Sequence, residues 1–209
     1  MKNFLVKPFL TLSFLGILAL GLASGLASGM AAARADEVTR VYLFRGVLNI
    51  FSLGLDEIAD KLEARNIQVT VLNHSSTSSA RMEILAGGTA RRPGTRPLVL
   101  VGHSLGANAV MRLANSLNEE NIKVNLVITL DPTNGGPLSP NVRRYINYHF
   151  SDEKLSGFPG TPAAVRRRVR DINLREYETV SGEALGHFNM DSSEKLQQEI
   201  ITGILRALR

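Results

Sequence analysis

Apolar residues fall into two rhythms along this chain, and the rhythms alternate. Residues 41–44 (VYLF) form a short apolar run of strand character, closed by Arg45-Gly46. Behind it Leu55, Ile58, Ala59 and Leu62 recur at helical spacing, with Asp56, Glu57, Lys61 and Glu63 between them, which predicts an amphipathic helix. Residues 68–72 (QVTVL) are β-branched and predict a second strand. A polar stretch over 73–79 leads to a short helix near 80–86, and Gly87-Gly88 and Pro93-Gly94 mark a loop. Residues 98–101 (LVLV) are wholly apolar, as a strand covered on both faces must be. The helix after it sets Ala109, Val110, Leu113, Ala114 and Leu117 on one side. Residues 124–130, 145–150 and 177–181 predict three more strands, with Pro- and Gly-rich loops at 135–140 and 156–162. A last amphipathic helix runs through Leu196, Ile200, Ile201, Ile204, Leu205 and Leu208, and Asp191 with Glu194 offers it a capping box.

Strands alternating with helices, the central strands apolar throughout, predict a mainly parallel sheet of about six strands flanked by helices. Residues 1–35 stand outside that pattern. Lys2 and Lys7 precede an apolar run, small residues follow, and Ala33-Arg34-Ala35 supplies the A-x-A pattern of a signal peptidase site. That order predicts a secretory signal peptide over 1–35, cleaved near Ala35, with an uncleaved membrane anchor as the alternative. The domain expected to fold is then 36–209, located in the bacterial periplasm or secreted, and membrane contact is confined to the signal segment before cleavage.

Composition narrows the chemistry. The chain has no cysteine, so thiolate nucleophiles, cysteine metal sites and disulfides are excluded. Its 209 residues are 44% hydrophobic and 21% charged, enough apolar material for a core without them. The net charge of +5 invites a nucleic-acid reading. Residues 1–35 hold three basic and no acidic residues, however, leaving 21 basic against 19 acidic in the remainder. No aromatic residues accompany the local cluster Arg166, Arg167, Arg168 and Arg170, so no nucleic acid is expected as a partner. That cluster reads as a solvated helix face, with contact to an anionic partner or substrate as the alternative.

Gly102-His103-Ser104-Leu105-Gly106 matches G-x-S-x-G. Residue frequencies alone produce this pattern in about 7% of chains of this length, so its context carries the meaning. It begins where the LVLV strand ends and precedes a helix, the strand–turn–helix setting of a nucleophile elbow. A serine hydroxyl needs a base to take its proton and a carboxylate to orient that base. In this arrangement the acid follows the serine and the histidine follows the acid. Of the four histidines, His74 precedes Ser104, His103 flanks it pointing away from the hydroxyl, and His149 lies in a predicted strand. His187 alone falls in a late loop before the last helix, the position of the base. Asp131 directly ends the strand after the elbow helix and is the favoured acid, with Asp152, after the next strand, as the alternative. One oxyanion donor is expected at the N–H of Leu105; the other is expected from the loop after the first strand, at Gly46 and Val47. Phe44, Leu48, Phe51 and Phe158 are candidates to line an acyl pocket, or else core residues. No metal constellation and no cofactor motif is present.

Together GHSLGA and LDPT resemble the α/β-hydrolase superfamily, its lipase branch in particular, across most of 38–208. The resemblance implies a single-domain α/β-hydrolase fold starting at the third strand of the usual eight, with no large cap domain. It implies Asp131 as the triad acid and Gly46-Val47 as the oxyanion loop, with Arg45 standing where the family has histidine. It also implies hydrolysis of a carboxylic ester through an acyl-Ser104 intermediate, the substrate being a small-molecule or lipid ester. A thioesterase is one alternative, and a non-catalytic envelope protein that binds a lipid or partner on the same fold is another.

Overall fold

The computed structural model describes residues 41–47, 53–87, 97–134, 136–153, 158–175 and 184–209. All of them belong to one compact unit, Val38–Arg209. The predicted signal segment, Leu48, Phe51 and the strand expected over 177–181 lie outside the described residues.

A six-stranded parallel sheet, in the order β2-β1-β3-β4-β5-β6, organises that unit. The strands are β1 (Val41–Arg45), β2 (Val69–Asn73), β3 (Val99–His103), β4 (Leu126–Leu130), β5 (Tyr145–His149) and β6 (Val169–Asn173). Between and after them lie helices α1 (Gly54–Glu63), α2 (Thr77–Ala86), α3 (Leu105–Glu119), α4 (Ala163–Arg166) and α5 (Glu194–Ala207). Successive side chains of a strand point to opposite faces, and both faces here are apolar. From β1, Val41 and Leu43 join a core with Leu55, Ile58 and Leu62 of α1 and Leu196, Ile200 and Ile204 of α5. Tyr42 and Phe44 face the other way, into a core with Ile84 of α2 and Val110, Leu113 and Leu117 of α3. Full burial of a side chain of this size contributes about 1.5–3 kcal/mol, and these are fully or almost fully buried.

Three expectations need correction. The sixth described strand is Val169–Asn173, a segment in which no strand was expected. Among the described residues it is the edge strand, paired to β5. Its edge position tolerates the charged pair Arg170-Asp171 between Val169 and Ile172, so the segment lacks the apolar signature of the central strands. The arginine cluster is therefore no single helix face: Arg166 ends α4, Arg167 and Arg168 form the turn, and Arg170 lies on β6. Asp191 does not cap the last helix either. Ser193 does, its Oγ accepting from Leu196 N at 3.4 Å, while Asp191 Oδ2 accepts from Gly54 N at 3.1 Å and closes the start of α1.

The strand order reverses at β1: chain progress runs to β2 on one side, then back to β3 on the other. Loops leaving β1 and β3 therefore diverge to opposite faces and leave a crevice at the C-terminal ends of these strands, where parallel sheets bind ligands. Ser104 follows β3 directly, and Gly46-Val47 follow β1.

Candidate active site

Ser104 occupies the turn between β3 and α3 with φ 56° and ψ −119°. A non-glycine residue there carries strain of about 1–3 kcal/mol, held only by surrounding structure. Two features hold it. Ser104 N–H donates to Leu130 O at 2.8 Å, tying the turn to the end of β4. Gly102 and Gly106 let backbone approach backbone: a Cβ on Gly102 would lie 2.2 Å from Gly106 O, and one on Gly106 only 1.9 Å from Phe44 O. The first turn of α3 is thus pressed against the end of β1. That is the physical need behind both glycines of the motif.

His187 lies across this turn. Its Nε2 accepts from the Ser104 hydroxyl at 2.9 Å, and its Nδ1 donates to Asp131 Oδ2 at 2.6 Å. The histidine and aspartate side chains are 27% and 25% exposed, so the array borders solvent and is open to a substrate. Asp131 follows β4 with φ 45°, and its N–H donates to Tyr148 O at 2.8 Å. Asp152, the alternative acid, is 76% exposed and grips Arg175 instead, with Arg175 Nη1 2.6 Å from both carboxylate oxygens.

Two polar residues not foreseen in a supporting role brace this array. His103 is 1% exposed, and its Nε2 donates to the backbone carbonyl of His187 at 2.7 Å. The two rings lie 5.2 Å apart. Burial drives the His103 pKa down to about 4, so the ring is neutral at pH 7 and can fill this donor role uncharged. Asn108, 5% exposed on α3, donates to Thr133 Oγ1 at 2.8 Å and accepts from Asn134 N at 3.2 Å. It thereby clamps the loop carrying Asp131 to the helix that follows Ser104. A polar residue between Ala107 and Ala109, on the otherwise apolar buried part of the helix, was the available signal.

Leu105 is the first residue of α3, and first-turn N–H groups lack acceptors within their own helix. Gly46 is buried and Val47 is 40% exposed. The Gly46 carbonyl accepts from His74 Nδ1 at 3.2 Å, which fixes the loop. Arg45 turns away to Asp56 of α1, its Nε 3.0 Å from Oδ2. Of the acyl-pocket candidates, Phe44 and Phe158 are buried in the α3-side core. Phe188 is the large apolar side chain at the site, 65% exposed, its ring edge-on to His187 at 5.0 Å. Among the described residues no group of three or more His, Asp or Glu side chains is placed to hold a metal ion.

A parallel sheet of this order, helices on both faces and a strained serine elbow at the switch point make up the α/β-hydrolase fold, here without a large cap among the described residues. Among solved structures, one that the chain is similar to is a protein of Xanthomonas campestris pv. campestris, classed by inference as a hydrolase of the α/β superfamily. The two share 13% sequence identity over 80% of this chain and 99% of that one, with a TM-score of 0.46. No protein-family model and no curated protein matches the sequence.

Proposed function

We propose that the protein is a serine hydrolase that cleaves a carboxylic ester through an acyl-Ser104 intermediate. The observation that supports this reading is the hydrogen-bonded chain Ser104–His187–Asp131, with 2.9 and 2.6 Å links on a strained turn. His187 takes the hydroxyl proton as Ser104 Oγ attacks the ester carbonyl, and Asp131 orients the ring and stabilises its charged form. The developing oxyanion is held by the N–H groups of Leu105 and Val47, with Gly46 allowing close approach. His187 then returns its proton to the leaving alcohol. Water, deprotonated by the same ring, releases the acid and restores Ser104.

In this proposal residues 1–35 direct export, and the domain acts in the periplasm or outside the cell on a small-molecule or lipid ester, without a cofactor.

Hydrolysis of p-nitrophenyl esters from acetate to palmitate, by the full chain and its Ser104→Ala variant, tests the reading. Activity lost in the variant is expected, with the chain-length optimum sizing the acyl site. A folded protein inert to every ester and to fluorophosphonate labelling would overturn it.

A further inference from the structure

The fold gathers arginines that the sequence scatters. Arg144 immediately before β5, Arg167 and Arg168 before β6, Arg170 on β6 and Arg206 in the last turn of α5 all line one cavity of about 490 Å³. Arg166 is not among them; its Nε donates to Thr161 O at 2.9 Å. The cavity runs along β5 and the start of β6 against α5, and because the strands are parallel its Arg144, Arg167 and Arg168 lie towards the end of the sheet opposite the one from which Ser104 and Asp131 emerge.

Three arginines elsewhere in the fold meet carboxylates: Arg45 meets Asp56, Arg81 meets Glu120 and Arg175 meets Asp152, while Arg65 and Arg166 donate to backbone carbonyls. Among the described residues none of the five cavity arginines makes an ion pair. The wall holds a single carboxylate, Glu199, which accepts from the Tyr148 hydroxyl at 3.3 Å. A lysine crowded in this way could shed its proton, but guanidinium cannot near neutral pH. All five side chains are exposed, so water and salt screen part of the repulsion, and a bound anion would relieve the rest.

The shape limits which anion. A cavity of this volume matches small-molecule sites, which are concave and hold one ligand. Its apolar wall is Ile146 of β5 facing Gly203 of α5, where a Cβ would come within 3.4 Å of the Ile146 Cδ1. Arg168 Nη1 already donates to the carbonyls of Pro140 and Val142 at 2.9 and 3.1 Å. With the other four arginines lining the same space, the site suits a phosphoryl group, which offers about two charges and three acceptor oxygens. A carboxylate offers one charge and engages one fork. We propose that this cavity binds the phosphoryl group of a small phosphorylated molecule or lipid headgroup, with the organic portion against Ile146. The site is independent of the ester chemistry at Ser104.

Titration calorimetry of the full chain with inorganic pyrophosphate tests it, beside co-sedimentation with phosphatidylcholine vesicles containing or lacking phosphatidylglycerol. Arg170→Gln/Arg206→Gln is the matched variant; both side chains are exposed, and a thermal melt verifies its fold. The variant is expected to weaken pyrophosphate binding at least tenfold while hydrolysing p-nitrophenyl acetate unchanged, and Ser104→Ala is expected to bind as the parent does. Pyrophosphate binding without arginine-dependent vesicle binding supports a soluble ligand; arginine-dependent binding of both supports the headgroup. No binding of pyrophosphate by the parent, or equal binding by the double variant, overturns the proposal.

Discussion

The Nε2 of His103 donates to the backbone carbonyl of His187 across 2.7 Å, joining the residue before Ser104 to the residue whose ring accepts the Ser104 hydroxyl's hydrogen bond. Serine and base lie on segments far apart in sequence, and this bond sets the depth at which the late loop docks. Removing it frees the loop without touching the Ser104 hydroxyl. His103→Ala is expected to lower kcat about five- to tenfold, the equivalent of roughly one hydrogen bond. Comparison of kcat and KM on a short p-nitrophenyl ester checks this, KM staying within twofold.

His103 also carries a pH signature. Its pKa falls from 6.5 unfolded to about 4 folded because burial penalises the charged ring. Between those values the unfolded chain binds the proton and the folded one does not. The contribution to stability is therefore complete above about pH 6.5 and is lost as pH falls towards 4. Urea melts of the parent and of His103→Gln should diverge in slope across that window, the parent losing more on acidification.

Asp191 works in the opposite sense. Burial raises its carboxyl from 3.8 to about 6 even though Gly54 N donates to it. The folded chain holds the proton over that interval and the unfolded chain does not, so stability falls as pH rises from 4 to 6. About two pKa units correspond to roughly 3 kcal/mol. Asp191→Asn keeps an acceptor for Gly54 N and removes the charge. It is expected to flatten that part of the stability profile, measured by urea titration at half-unit pH steps.

Asp131 and Asp152 are separated by a direct test. Asp131→Asn leaves His187 without its carboxylate and is expected to lower kcat by about 10³–10⁴. Asp152→Asn breaks only the exposed pair with Arg175 and should change kcat less than twofold. Single-turnover rates on one activated ester distinguish the two; equal losses would reassign the acid.

Glycines divide by what surrounds them. Gly106→Ala would force its methyl against Phe44 O at 1.9 Å and is expected to cost more than about 3 kcal/mol. Gly203→Ala, inside α5, meets only flexible side-chain ends at 3.4 Å and beyond. It should gain about 0.5–1 kcal/mol from helix propensity. Thermal melts of the two variants should therefore move in opposite directions.

Legibility followed burial. The central strands β3 and β4 are covered on both faces, so 98–101 and 124–130 declared themselves as apolar runs. Strand β6 needs apolar residues only intermittently, and its Arg170, taken with Arg166, Arg167 and Arg168, resembled a charged helix face. The order Ser104, Asp131, His187 was readable because each residue follows or precedes a recognisable element. The bracing by His103 and Asn108 was not, since it depends on which loops meet at the switch point. Asp191 misled for a similar reason: a residue preceding a helix looked like its cap, while the fold turned it towards Gly54.

Timing follows from the way the last helix is bound in. Asp191 closes the start of α1, and Gln197 Nε2 donates to Glu57 Oε2 at 2.7 Å, so the final helix is fastened to the first one. A chain emerging from the ribosome exposes Ser104 and Asp131 well before His187. The Ser104 hydroxyl has no His187 beside it until the closing segment has been synthesised and has found its place beside α1. Any hydrolytic chemistry at Ser104 is thus withheld from the nascent polypeptide and arrives in one late step, with completion of the fold.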